Sequence, residues 1–165
     1  MTLYIGIDPG AKGGIAGIDE LGNVCMLHDW PGDEIQASKI FWDIVDYGEE
    51  NHEGRILAAV EHVHAIPMKP LAGGKGQGMS STSSFNFGKN WGMHKMALAM
   101  AGIPFLEPKP QAWQKGMFKK ADGKNAAMAV AGRLFPDAEI YGPRGGNKDG
   151  RADALLIAEW RRRQV

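Results

Sequence analysis

The sequence predicts a single mixed α/β domain over residues 1–165, with a five-stranded sheet flanked by helices. Three observations predict it. Leu3 to Asp8 and Ile56 to Glu61 are short apolar runs that each end in a carboxylate, as buried strands meeting a site do. Between them lies a meander pattern, and then the apolar period changes from two to that of a helix.

In chain order, Leu3 to Asp8 runs into Asp8-Pro9-Gly10, a strand meeting a turn. Gly13 to Ile18 and Asn23 to His28 are the next two strands, joined antiparallel through Asp19-Glu20-Leu21-Gly22. From Glu34 to Glu50, Ile35, Ile40, Phe41, Ile44 and Val45 recur at helical spacing, with acidic residues between them on a solvent face. Ile56 to Glu61 is then a buried strand parallel to the first. Ile66 to Ser84, dominated by Gly, Ser, Pro and Lys, is expected to be a long functional loop. A Met- and Ala-rich helix over Phe85 to Gly102, a strand over Ile103 to Leu106 and a helix over Asn125 to Leu134 follow. The last helix starts near Lys148 or Asp149 and runs through ADALLIAEWRRR.

Composition excludes several classes. With 44% hydrophobic and 23% charged residues, neither disorder nor a fibrous class fits. No apolar run is long enough to span a bilayer and the N-terminus reads as a strand, so the expected setting is cytoplasmic, without a membrane partner. Cys25 is the sole cysteine, which rules out an internal disulfide or a Cys-based zinc site and suits a core position. The formal net charge is zero, but its distribution is polar. Asp19 to Gly54 holds ten acidic residues against Lys39, while Lys69 to Lys124 holds nine lysines against Glu107 and Asp122. A basic half suits a polyanion, and two solvated faces of opposite sign are the plain alternative.

The candidate chemistry lies in four acids: Asp8, Glu61, Asp149 and Asp153. Asp149 and Asp153 stand four residues apart, one helical turn on one face. Individually, Asp8 also suits a turn, and Asp149 and Asp153 also suit a helix start. Glu61 at the tip of Ala58-Ala59-Val60 has no such plain explanation. Convergent carboxylates raise one another's pKa unless cations screen them, and two Mg²⁺ or Mn²⁺ ions so held serve phosphodiester hydrolysis. Hard oxygen donors favour those ions over zinc or copper. His62 and His64 flank the strand end without evident ligand partners. Neither Asp8 to Gly14 nor Gly73 to Gly78 forms a Walker A sequence.

Together, IGIDPGAKGGIA, AAVEHV and KDGRADALLIAEW, with SSFNFGKNWG, EPKPQAWQKG and DGKNAAMAVAGRLFP between them, resemble the RuvC family of Holliday junction resolvases, in particular its phage-type branch. The resemblance covers most of the chain. It implies an RNase H-like fold, a homodimer on a four-way junction of branched DNA, paired nicks leaving ligatable ends, and two Mg²⁺ per site, Mn²⁺ substituting. It carries the metal-binding acids to Asp8, Glu61, Asp149 and Asp153, and DNA-contacting lysines to Lys115 and Lys124. The four-residue spacing of the last acids matches phage-type and mitochondrial-type relatives, where bacterial cellular members have three. A bacterial host's cytoplasm is then the expected location.

Lys69, Lys75, Lys89, Lys115, Lys119, Lys120 and Lys124 are read as phosphate contacts. Phe85 and Phe87, beside Trp91, are placed either to stack on bases or to anchor the helix, with at least two of the three rings expected in the core. Trp113 and Trp160 read as packing residues, and Arg161 to Arg163 either touch DNA or complement a helix dipole. Other readings are an actin-like or sugar-kinase ATPase, for which the length supplies one lobe where two are needed, a fork or flap nuclease with the same acids, and a non-cleaving DNA-structure binding module.

Overall fold

The structure, a computed structural model, describes residues 1–64 and 80–165 and their side chains, except those of Lys120, Ala121 and Lys124. β1 (Leu3–Asp8), β2 (Gly14–Ile18) and β3 (Val24–Asp29) form the meander, followed by α1 (Glu34–His52), β4 (Ile56–Val60), α2 (Ser81–Met100) and β5 (Phe105–Leu106). Then come α3 (Pro110–Gln114), a 3₁₀ turn (Lys120–Asn125), α4 (Ala126–Leu134) and α5 (Asp149–Arg162). The sheet order is β3-β2-β1-β4-β5. β1 and β2 pair antiparallel, as do β2 and β3, while β1–β4 and β4–β5 are parallel. The mixed five-stranded sheet is therefore as expected.

Both faces of the central strands are buried because β1 and β4 are apolar on both sides. One core packs Leu3, Ile5 and Ile7 against Phe41 and Ile44 of α1 and Leu98 of α2. The other packs Tyr4, Ala16 and Ile18 against α4 and the apolar stripe Leu155, Leu156 and Ile157 of α5. Asp33 caps α1 by accepting from the amides of Ile35 and Gln36, the N-cap geometry that its short carboxylate favours.

The sequence reading needs four local corrections. Ser81 to Ser84 are helical, because Ser80 caps the amide of Ser83 and starts α2 ahead of Phe85. The five-residue α3, with Pro110 at its first turn, is too short to leave a periodic pattern. Ile35, counted above on the apolar face of α1, is 71% exposed. Cys25 is half-buried at the edge of the first core rather than inside it. The expected loop from Ile66, with Lys69, Lys75 and the glycines Gly73 to Gly78, lies outside the described residues up to position 79.

α5 approaches the sheet almost backbone to backbone. A Cβ on Gly6 would stand 2.1 Å from the Ala154 carbonyl oxygen and 2.2 Å from the Ala158 amide. One on Gly150 would meet the Lys12 carbonyl oxygen at 2.1 Å. Absent side chains at Gly6 and Gly150 thus let the first two turns of α5 sit directly over β1 and its turn.

Candidate active site

Register places the first two acids. Ile7 pairs with Val60 and the Glu61 amide donates to the Ile7 carbonyl at 3.0 Å, so Asp8 and Glu61 leave adjacent parallel strands side by side. The turn after β1 is held by Asp8 itself, whose Oδ1 accepts from the Gly10 amide at 2.9 Å. The bridge between Gly13 and Gly150 fixes the start of α5 against that turn. Asp149 and, one turn on, Asp153 are thereby brought to the strand ends.

Electrostatics report the convergence. Burial, then the charges of Asp8, Glu61 and Asp149, pushes Asp153 up to about 7. Burial also raises Asp8, against the pull of the Gly10 amide. Glu61 is raised by burial and by Asp8, while the Trp113 indole N–H lowers it. Asp149 stands exposed at the helix start. Among the described residues none of the four acids forms a salt bridge, and no group of three or more His, Cys, Asp or Glu closes to ligand distance. The donor set, all carboxylate oxygen, fits a hard divalent ion such as Mg²⁺ or Mn²⁺.

Trp113 has a role that its apolar character hid. It is 1% exposed and its Nε1–H donates to Glu61 Oε1 at 2.8 Å, so the packing residue also orients an acid. Phe118 meets its ring edge-on. The only hint in the sequence is the rule that a buried indole N–H seeks a partner.

The DNA-contact candidates separate. Lys115, at the C-terminal end of α3, and Lys119 are exposed, two and six residues beyond Trp113. Lys89 instead pairs with Glu34 of α1 at 2.7 Å. The side chains of Lys120 and Lys124, like Lys69 and Lys75, lie outside the description. Phe85 is 73% exposed, whereas Trp91 packs on the core and Phe87 is half-buried. Arg162 and Arg163 close on Glu159, each at 2.7 Å, which ties them to the helix end. His62 lies 3.8 Å from Glu107 and edge-on to Trp91.

The fold has counterparts among solved structures. The structure of T. thermophilus RuvC in complex with Holliday junction substrate superimposes with a TM-score of 0.61 at 16% identity, over 97% of this chain and 92% of that one. The fold is RNase H-like. A second structure of Thermus thermophilus RuvC gives a TM-score of 0.59 at 18% identity, over 96% of this chain and 92% of the other. No family model and no curated protein matches the sequence. At such identities the likeness to RuvC is one of fold, and the chemistry rests on this chain's own residues. Among the described residues no helix is long and apolar enough to cross a membrane.

Proposed function

We propose that this protein is a metal-dependent, structure-selective endodeoxyribonuclease that resolves four-way DNA junctions. The observation that carries the reading is the placement of Asp8 and Glu61 at the ends of the paired strands β1 and β4 beside Asp153, one turn into α5, where burial first and then the charges of the neighbouring acids push Asp153 up to about 7. That one of the neighbours in fold was captured on a Holliday junction supports the choice of substrate.

Asp8, Glu61, Asp149 and Asp153 are the residues that would hold two Mg²⁺ or Mn²⁺ ions. When bound, such ions supply an activated water and charge stabilisation at the leaving oxygen. Asp8, gripped by the Gly10 amide, and Glu61, gripped by the Trp113 indole, are oriented before substrate arrives. Asp153, pushed up to about 7, holds a proton below neutral pH and would have to give it up to serve as a ligand to a bound cation. Hydrolysis adds the oxygen of water to phosphorus and releases the 3′ oxygen as a hydroxyl, leaving ligatable ends. Exposed Lys115 and Lys119 contact the phosphate backbone, and exposed Phe85 stacks on bases opened at the crossover.

A homodimer belongs to this reading, because a four-way junction has two equivalent strands to nick. Exposed Trp42, Met96 and Met100 border an apolar groove between α1 and α2 that suits a second copy. The four-residue spacing of Asp149 and Asp153 supports the phage-type branch, acting in the cytoplasm of a bacterial host.

The test is cleavage of an end-labelled synthetic junction with Mg²⁺ or Mn²⁺, beside duplex, fork and flap controls. Symmetric nicks near the crossover are expected. Asp8→Asn should lose on the order of 10³-fold in rate while still binding the junction, the scale of several kcal/mol of metal-derived stabilisation. Better cutting of forks or flaps would make the protein a broader branch nuclease, and binding without cutting would make it a recognition module.

A further inference from the structure

Beside the acids, on the side away from Glu61, lies an open cleft of about 770 Å³. The turn holding Lys12, the end of β3 at Asp29 and Trp30, the loop carrying Arg144, and Lys148-Asp149 line it. Asp149 is thus shared between the acid cluster and the cleft. The loop is a built feature: Tyr141 bridges to Asn147, Gly142 donates to the Gly146 carbonyl at 2.7 Å, and Gly145 donates to the Gly142 carbonyl at 2.8 Å. Arg144 stands exposed at its tip.

Charge in the cleft is unevenly satisfied. Asp29 is already occupied, by Lys148 at 2.7 Å and Arg151 at 2.8 Å. Lys12 and Arg144 are exposed and, among the described residues, form no salt bridge or side-chain hydrogen bond. Trp30 closes the wall, 6% exposed, and its buried Nε1 has no hydrogen-bond partner among the described residues. Two cations without partners among the described residues, lining one open cleft that Asp149 of the acid cluster also lines, form a complement to a chain of phosphates. Lys115 stands on the other side, beyond Trp113 and Glu61.

We infer that Lys12 and Arg144 grip the sugar–phosphate backbone of the DNA strand being cut, on the opposite side of the scissile phosphate from Lys115. The strand crosses the acids from the Lys115 flank to the Arg144 flank, and the grip at both ends sets which phosphate lies over Asp8 and Asp153. This inference rests on the nuclease reading and adds positioning residues to it. It also explains why a loop with three glycines and one proline around one arginine is held in a fixed turn.

Junction affinity measured across a salt titration, with phosphate-ethylation interference on the same junction in Ca²⁺, tests it. The Lys12→Ala, Arg144→Ala double variant should bind about tenfold more weakly, with a salt slope shallower by roughly 1.8 for two lost phosphate contacts. Ethylated phosphates on one flank of the nick should block the parent but no longer affect the double variant. Lys115→Ala should lose interference on the other flank. Since neither side chain is buried or bonded within the fold as described, melting temperature should stay parental. Parental affinity, slope and interference in the double variant would overturn the inference while leaving the nuclease reading intact. A parent that neither binds nor nicks the junction would remove both.

Discussion

At the scale of single residues, the site is governed by the cost of gathering negative charge. Asp153 carries the largest consequence, because its carboxyl ordinarily titrates near 3.8 and here is pushed up to about 7 by burial and by Asp8, Glu61 and Asp149. The folded state therefore binds a proton that the unfolded chain has released. The resulting stability is complete below the unfolded value and is lost as pH rises through about 7. In chelator, the melting temperature should fall between pH 5 and pH 8, and Asp153→Asn should flatten that fall. A divalent ion reverses the logic, since it takes the deprotonated acid, so ion affinity should rise over the same window. Trp113 supplies a second prediction. Trp113→Phe keeps a ring but removes the N–H held by Glu61 at 2.8 Å, so the acid limb of the pH–rate profile should move to higher pH. Urea denaturation should register a loss of about 1.5–3 kcal/mol, the range for a hydrogen bond to a charged group. An unmoved acid limb would reduce Trp113 to packing.

Among the elements, α5 decides whether there is a site. Its two acids are useful only because the helix lies against β1 and the following turn at contact distance, which Gly6 and Gly150 permit. Gly6→Ala places a methyl 2.1 Å from the Ala154 carbonyl oxygen, a backbone atom that cannot rotate away. The expected cost is roughly 1–3 kcal/mol of stability, the usual scale of overpacking, together with loss of cleavage as Asp153 is lifted from Asp8. Denaturant unfolding and the junction assay read the two effects separately. Stability and activity both at parental levels would mean that α5 is less tightly specified than its contacts imply. Much of this was legible beforehand. Asp8 and Glu61 stand at the ends of apolar runs, and such runs announce buried strands. The five-residue α3 was not legible, since one turn of helix leaves no period to detect, and neither was the pairing of Lys89 with Glu34 between two helices distant in sequence.

Across the whole molecule, charge and apolar surface divide the protein into working faces. The basic half of the sequence includes exposed Lys115 and Lys119, two and six residues beyond the Trp113 that holds Glu61, whereas Lys89 forms a surface ion pair with Glu34. Lys115→Ala should weaken junction binding and make the salt slope shallower by roughly 0.9, while Lys89→Ala should leave the slope unchanged. Equal slopes in all three proteins would remove Lys115 from the interface. The apolar groove between α1 and α2 makes a different prediction. Trp42, 66% exposed, and Met100, 81% exposed, are costly to leave in water, so Trp42→Asp with Met100→Lys should turn a dimer into a monomer in sedimentation. A parent that sediments as a monomer would exclude the dimer.

The sequence alone determined the strand order of the meander and the parallel fourth strand, because period is a local property of the chain, and it marked four acids as candidates. It also marked the polarised charge. Only the tertiary structure decided that Trp113 holds Glu61, that Lys89 pairs with Glu34, and that Lys12 and Arg144 line one cleft. Those facts join residues dozens of positions apart, and no periodicity encodes a distance that the packing of α5 on the sheet creates.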